Sequence, residues 1–329
     1  WITGTGGRRS SAGSIRDIMS GCMGTGKKVQ ILLSTYNGDK YLREQLNSFL
    51  QLDYFNECKV LIRDDGSTDK TRTILQEYEK YEQFQIFYGD NIGITDSYLW
   101  LMEHSDPNCL YFSPSDQDDV WLPNKVSLAI SVLDGQDNSK PLLLGTLSHI
   151  VDSSMKPIMD LPVPKRPTSY YNAMIQNVLP GHTQVMNRAM LDLILQHGVH
   201  DVHVIDWWFY LVGAAMGKVI LLPEYTVLHR IHDANSVGVS RGFLESLARR
   251  ISYIRAGRGN AFSKQLDAFY QIFGTELPDE YRAETEKFLG AQSNIVSRLH
   301  YVLSCKVYRQ SIREDLAFRC LYLMGKYKL

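Results

Sequence analysis

The segment Ser113-Pro-Ser-Asp116-Gln117-Asp118-Asp119-Val-Trp121 holds three carboxylates within four residues. Placed so close, they repel one another unless a cation neutralises them. Hard oxygen donors suit Mg2+ or Mn2+, ions that commonly bridge to substrate phosphates. The competing reading is an acidic loop in which Asp118 or Asp119 starts a helix, where negative charge meets the positive end of the dipole. A second cluster, Asp64-Asp65-Gly66-Ser67, offers a carboxylate to a base imide or a ribose hydroxyl, and a glycine for a tight turn beside a ligand. A third, Ser34-Thr35-Tyr36-Asn37-Gly38, offers hydroxyls and an aromatic face. Each of these two also reads as a plain strand-to-helix turn.

The elements that would position these clusters are legible upstream of each. Val29 to Ser34, Lys59 to Arg63, Phe84 to Tyr88 and Cys109 to Phe112 are short apolar runs of strand type. Between them fall helical patterns carrying Leu42, Leu46, Phe49 and Leu50, then Ile74, Leu75 and Tyr78, then Thr95 to His104. Alternation of strand and helix with short connections predicts an α/β fold with a mostly parallel sheet. Ligands of such sheets sit outside the carboxyl ends of the strands, where all three clusters fall. Further on, a helix to about Leu133, strands at Leu142–Leu144 and His149–Val151, and a proline-rich loop from Pro157 to Pro167 are expected. A helix from near Asn187, another over Trp207–Met216 and a strand over Lys218–Leu222 follow. From about Arg241 the pattern is mainly helical.

The whole chain of 329 residues is 44% hydrophobic and 22% charged, which excludes disorder as its main state. A formal net charge of −1 supplies no global field for nucleic acid. No apolar run reaches the roughly 18–20 residues of a membrane span. Five scattered cysteines without a CxxC pair argue against a disulfide framework and favour a reducing cytoplasm. Residues 1–27 read as a disordered tail or a leader upstream of Met19 or Met23. Within them, Gly21-Cys-Met-Gly-Thr-Gly26-Lys27-Lys28 imitates a phosphate loop, but Lys28 stands where a Ser/Thr is needed and no strand precedes it. His197, His200 and His203 invite a zinc reading. The intervening Gly198, Val199 and Val202 give them no common helical face, so a polar loop is the better reading.

Taken in order, Ser34-Thr-Tyr-Asn, Asp64-Asp-Gly-Ser-Thr-Asp69, Asp90-Asn-Ile-Gly93 and Asp116-Gln-Asp-Asp-Val-Trp121 resemble the family 2 glycosyltransferases with the GT-A fold. With Asp206-Trp-Trp208 and His229-Arg-Ile-His232, the pattern is most similar to the bacterial rhamnosyltransferase branch. The resemblance covers roughly residues 28–240, leaving 241–329 as a helical extension. It implies a nucleotide site of Ser34, Thr35, Tyr36, Asn37, Asp64, Asp65, Asn91, Gly93, Asp116 and Gln117. It implies a cation on Asp118, with Asp116 and Asp119 close by and His232 assisting. It places the catalytic base on Asp206, and the acceptor and sugar near Gly181, His182, Trp207 and Trp208. Pro180-Gly-His-Thr183 departs from the Thr-Gly-Cys usual in relatives.

The resemblance implies transfer of L-rhamnose from dTDP-L-rhamnose, in cell-surface polysaccharide synthesis, to a saccharide or lipid-linked acceptor, and the residue types fit the chemistry of sugar transfer. A departing diphosphate concentrates negative charge that a cation offsets. An acceptor hydroxyl is a poor nucleophile until a carboxylate takes its proton. A nucleotidyltransferase would carry a basic Gly-rich loop after the first strand, which Ser34 to Gly38 is not. A non-catalytic carbohydrate-binding protein would have no use for both the carboxylate cluster and Asp206. The two tryptophans also read as core. The last 89 residues hold 15 Lys/Arg against 9 Asp/Glu, which reads as solvated helix surface or as contact with an anionic membrane face.

Overall fold

The computed structural model describes residues 28–199, 202, 204–232, 248, 251–252 and 261–327. The phosphate-loop imitation up to Lys27, His200, His203 and the proposed boundary near residue 240 lie outside the described residues.

Strands β1 (Val29–Thr35), β2 (Cys58–Asp65), β3 (Phe84–Gly89) and β4 (Tyr111–Ser115) form the parallel half of one sheet in the order β3-β2-β1-β4. Helices α1 (Leu42–Leu50), α2 (Thr71–Gln76) and α3 (Ile94–Glu103) supply the crossovers. Because β1 lies between β2 and β4, strand order reverses beside it. That leaves a crevice beyond the carboxyl ends of β1 and β4. The 116–119 loop leads from β4 into the short β5 (Val120–Trp121) and α4 (Lys125–Leu133).

The rest of the sheet is β6 (Leu142–Val151), β7 (Pro157–Asp160), β8 (Gln184–Asn187) and β9 (Lys218–Arg230). β8 runs antiparallel between β4 and β6, and β6 and β9 are parallel. Three details differ from the sequence reading. The two expected strands at 142–144 and 149–151 are one strand. The loop from Pro157 opens with β7, which pairs with β6. And β9 does not stop at Leu222: Pro223 cannot donate to the ladder, so the pairing shifts register between Gly145/Leu221 and Leu147/Tyr225 and then continues to Arg230. That continuation carries His229 and Arg230 to the crevice.

Alternation along the strands divides the core between the two sheet faces. Val29, Ile31, Leu33, Val60 and Ile62 face α1, α2 and α4; Leu32, Leu61, Phe112 and Leu143 face the other side. The second layer holds α3, α5 (Tyr170–Ala173), α6 (Arg188–His197) and α7 (Ile205–Met216). It continues into α8 (Ala261–Phe273), α9 (Asp279–Gly290), α10 (Ile295–Ser304) and α11 (Ile312–Leu323), through Phe269, Phe273, Phe288, Tyr301 and Tyr322. α6 begins near Asn187 as expected, and Asn187 caps it; its Oδ1 accepts from Met190 N at 3.0 Å and from Leu142 N at 2.9 Å.

Candidate active site

The nucleotide side of the crevice is built by three strand ends. Thr35 pairs with Asp64 across the ladder. Gln117 closes over the end of β1: its Oε1 accepts from Thr35 Oγ1 at 2.7 Å and Tyr36 N at 2.9 Å, and its Nε2 donates to Tyr36 O at 3.1 Å. The Tyr36 ring stays exposed. Asn37 takes a left-handed turn (φ 48°), and its Oδ1 accepts from Thr68 N. Ser34 turns away, donating to Ser97 Oγ at 2.7 Å.

The paired aspartates differ in role. Asp65 accepts from Ile92 N at 2.9 Å and Gly93 N at 3.0 Å, and it is bonded to Arg63. Asp65 therefore holds the 90–93 loop, with Asn91 exposed on it. Asp64 uses only Oδ2, toward Ser67 N (3.2 Å) and Arg72 Nε (2.6 Å); its Oδ1 is buried and without a partner. A buried lone pair at a strand end is costly unless a ligand donor meets it. Gly66 turns at φ 80°, and a Cβ there would lie 2.7 Å from Asn91 N.

At the end of β4 the acidic loop meets two histidines from other strands. Asp116 and Asp119 with His182 and His229 offer ligand atoms that all lie within 4.8 Å of one another. His182 Nδ1 is 3.6 Å from both Asp116 Oδ2 and Asp119 Oδ2, the spacing of groups around a shared centre instead of a direct hydrogen bond. Asp119 Oδ2 is buried and unpartnered, while its Oδ1 accepts from His229 Nδ1 at 2.9 Å and Arg230 N at 3.1 Å. Asp118 pairs with His232 Nε2 at 2.8 Å on the neighbouring side. The Asp116 side chain remains 39% exposed. Mixed carboxylate and imidazole donors around an orphaned oxygen fit a divalent cation.

The electrostatics follow from this crowding. Loss of water from the protein-facing side of its carboxyl raises Asp116, although the side chain still reaches solvent, and His229 opposes the rise. Burial, Asp116 and Asp119 raise Asp118, against its bond to His232. Burial opposes the charge on His229, but Asp119, Asp116 and Asp118 outweigh it and hold its pKa at about 9. Burial and the neighbouring His229 push His182 down to about 3. The two rings stack at 4.3 Å. Lys125, buried over the Trp121 ring at 4.4 Å, is lowered to about 7 by burial, with Asp119 opposing.

His182 belongs to the short turn Gly181–Thr183, which also reaches Asp206 in the first turn of α7. Gly181 N donates to Asp206 Oδ2 at 2.9 Å. A Cβ on residue 181 would lie 2.9 Å from Asp206 Cβ, so this close approach requires glycine. Burial raises Asp206 to about 6 in spite of that bond.

Trp208 does not offer a sugar platform. It is wholly buried, packed on Phe269 at 5.8 Å and Phe273 at 6.4 Å, because its place on α7 faces the C-terminal helices. Trp207 is half-buried and donates Nε1 to Ala173 O at 2.7 Å. His197 ends α6 instead of lying in a loop, with Nε2 3.5 Å from Glu276.

Sequence reasoning gave no role to His229, Arg230 or Lys125. Buried Arg230 donates Nε to Asp118 O at 2.9 Å and Nη1 to Ser153 O at 3.2 Å, pairs with Glu44 and lies over the Tyr41 ring. The signal was present in His229-Arg-Ile-His232, two of whose members lie on a strand read as ending earlier.

A sheet of this strand order, with its crevice beyond β1 and β4, has the GT-A fold. Superposition on Staphylococcus aureus TarS 1-349 in complex with UDP-GlcNAc gives a TM-score of 0.55 at 16% identity, covering 91% of this chain and 89% of that one. The mannosyltransferase PcManGT of Pyrobaculum calidifontis, in complex with GDP-Man and Mn2+, gives 0.52 at 14% identity over 91% and 85%. Residues 30–143 match the Glycosyl transferase family 2 model. The dTDP-rhamnosyl transferase RfbG of Shigella flexneri is 25% identical over 241 residues, 68% of this chain and 79% of that protein. Residues 30–143 thus carry the family 2 glycosyltransferase pattern, and the chain is a glycosyltransferase.

Proposed function

We propose that the chain transfers L-rhamnose from dTDP-rhamnose to a saccharide or lipid-linked acceptor, with inversion at the anomeric carbon, from the cytoplasmic side during cell-surface polysaccharide synthesis. One observation carries the reading of the site: a single turn joins both halves of the chemistry. Gly181 N bonds Asp206, while the adjacent His182 Nδ1 stands 3.6 Å from Asp116 and Asp119. The likeness to RfbG supports the choice of donor.

We assign the residues by accessibility. Tyr36 and the open oxygen of Asp64 would receive the base, with Thr35 and Gln117 shaping the edge. Asp116, Asp118 and His232, on the more open side, would hold Mg2+ or Mn2+. A bound cation offsets the charge of the departing diphosphate. Asp119, His182 and His229 form a deeper set whose spacing favours a second reading, in which they share the ion with Asp116. Asp206 takes the proton of the acceptor hydroxyl as its oxygen bonds to C1. The C1–O bond to the diphosphate breaks, and the nucleoside diphosphate leaves with the electron pair. Opposite-face attack inverts the centre.

The test is release of nucleoside diphosphate from dTDP-rhamnose, UDP-GlcNAc and GDP-mannose, each with Mn2+. Preferred turnover of dTDP-rhamnose supports the donor assignment. Turnover of UDP-GlcNAc or GDP-mannose alone replaces the donor while keeping the enzyme class.

A further inference from the structure

We propose that the outer faces of α10 and α11 dock on an anionic lipid bilayer. Among the described residues thirteen large hydrophobic side chains are exposed, and seven of them fall between Ile295 and Met324. On α10, Ile295, Val296, Leu299 and Leu303 span roughly 100° of the helix circumference at 3.6 residues per turn. Val296 is 73% exposed and Leu303 79%. The opposite side is the packed one: Tyr301 is buried against Phe288 at 5.7 Å and Tyr322 at 4.9 Å. α11 repeats the arrangement, with Ile312 and Leu316 exposed while Phe318, Leu321 and Tyr322 are buried. α10 is therefore amphipathic with its apolar stripe outward, the reverse of an ordinary surface helix, and α11 adds exposed Ile312 and Leu316 to an apolar packed side.

Charge selects the occupant. Residues 294–327 contain six Lys/Arg and two Asp/Glu. Both acids are engaged within the protein, Glu314 with Arg309 at 3.2 Å and Asp315 with Arg319 at 3.0 Å. Arg313 and Lys326 are exposed beside the apolar residues. A groove of about 460 Å3 next to Val296 is lined by Lys287 and His300, and by Glu286, whose carboxylate is bonded to Tyr270 OH at 2.6 Å. A symmetric contact between two copies would set this positive surface against itself. An anionic headgroup layer attracts the cations while its acyl boundary takes the apolar stripe. The helices have 10 and 12 residues, and no described helix is long and apolar enough to cross a membrane, so the geometry is that of helices lying on a surface. None of these side chains belongs to the crevice, so the proposal stands or falls apart from the sugar-transfer reading.

The test is co-sedimentation of the full chain with phosphatidylcholine vesicles, with and without phosphatidylglycerol. Pelleting with the anionic vesicles, reduced by salt, is expected. The variant Leu299→Glu/Leu303→Glu should bind roughly 100-fold more weakly while keeping donor cleavage and melting temperature. Arg313→Ala and Lys326→Ala should each cost about fivefold, which keeps the proposal open to refutation if the double variant misfolds. Absence of pelleting, equal pelleting of the glutamate variant, or equal binding to neutral vesicles overturns it. So does a dimer in light scattering that the glutamate variant converts to monomer.

Discussion

Gly181 N–H donates a 2.9 Å hydrogen bond to Oδ2 of Asp206, fixing a carboxylate that burial has raised to about 6. A base needs a pKa below the working pH but not far below it, which this value meets. Asp206→Asn keeps the acceptor oxygen for Gly181 and loses only the charge. Transfer should fall by about 10²–10⁴-fold, the usual contribution of general acid–base catalysis, with donor affinity unchanged by titration calorimetry. Loss of donor binding would reject the base role.

The same residue sets a pH dependence with opposite signs for activity and stability. Protonated Asp206 is no base, so turnover should rise with pH through a midpoint of about 6 and drop about tenfold per unit below it. Because the folded pKa is raised, ionising Asp206 costs stability. That cost is absent below the unfolded pKa and complete above about 6. Asp206→Asn should therefore stabilise the protein at pH 7–8 by ~1–3 kcal/mol and by little near pH 4. Denaturant melts at the two pH values decide it; equal effects at both would show that the charge is not buried.

Gly181→Ala tests the turn itself. Its Cβ would meet Asp206 Cβ at 2.9 Å; relieving that contact moves the carboxylate by up to about 1 Å, and a misplacement of that size at a reacting group costs about 10²-fold in rate. kcat should fall by that order while KM for the donor holds. Wild-type kcat would mean that the turn relaxes without moving Asp206.

Much of this was readable from residue order. β1 to β4 announce themselves because each is a short apolar run ended by polar turn residues, and the crevice follows from strand order. Asp118 pairs with His232, and the Gly181–His182 turn links Asp116 and Asp119 to Asp206. What escaped has physical causes. Pro223 hides the continuity of β9, because a proline ordinarily ends a central strand, so His229 and Arg230 looked like loop residues. Trp208 has the composition of a sugar platform, but α7 is apolar nearly all round and is covered by helices more than 50 residues later. In the sequence His182 reads as an acceptor contact, because its neighbours in space, Asp116 and Asp119, arrive from a distant part of the chain.

Arg230 is the positioning residue for the acidic loop. Its N–H and Nε hold Asp119 and the Asp118 carbonyl, and its far end reaches Ser153 O and Glu44. Arg230→Met keeps the stem's packing and removes the fork that ties Asp118 O, Ser153 O and Glu44 together. A loss of about 1–3 kcal/mol in unfolding free energy is expected, with Mn2+ affinity of the surviving fold reduced. Unchanged Mn2+ affinity would show that the loop holds its shape without the arginine.

The cation assignment separates by paired substitution. His232 bonds Asp118 on the open side, whereas His182 faces Asp116 and Asp119 at 3.6 Å from a nearly closed position. An ion that meets a diphosphate keeps coordination positions open to it, which favours the side of His232. Mn2+ titrated by electron paramagnetic resonance, with dTDP present, should bind ~10- to 100-fold more weakly to His232→Ala. His182→Ala should lose far less Mn2+ affinity, while His229, losing its stacking partner, keeps its bond to Asp119. The reverse ranking moves the ion to the deeper set of Asp116, Asp119, His182 and His229, and chelation without effect on turnover removes it from the reaction altogether.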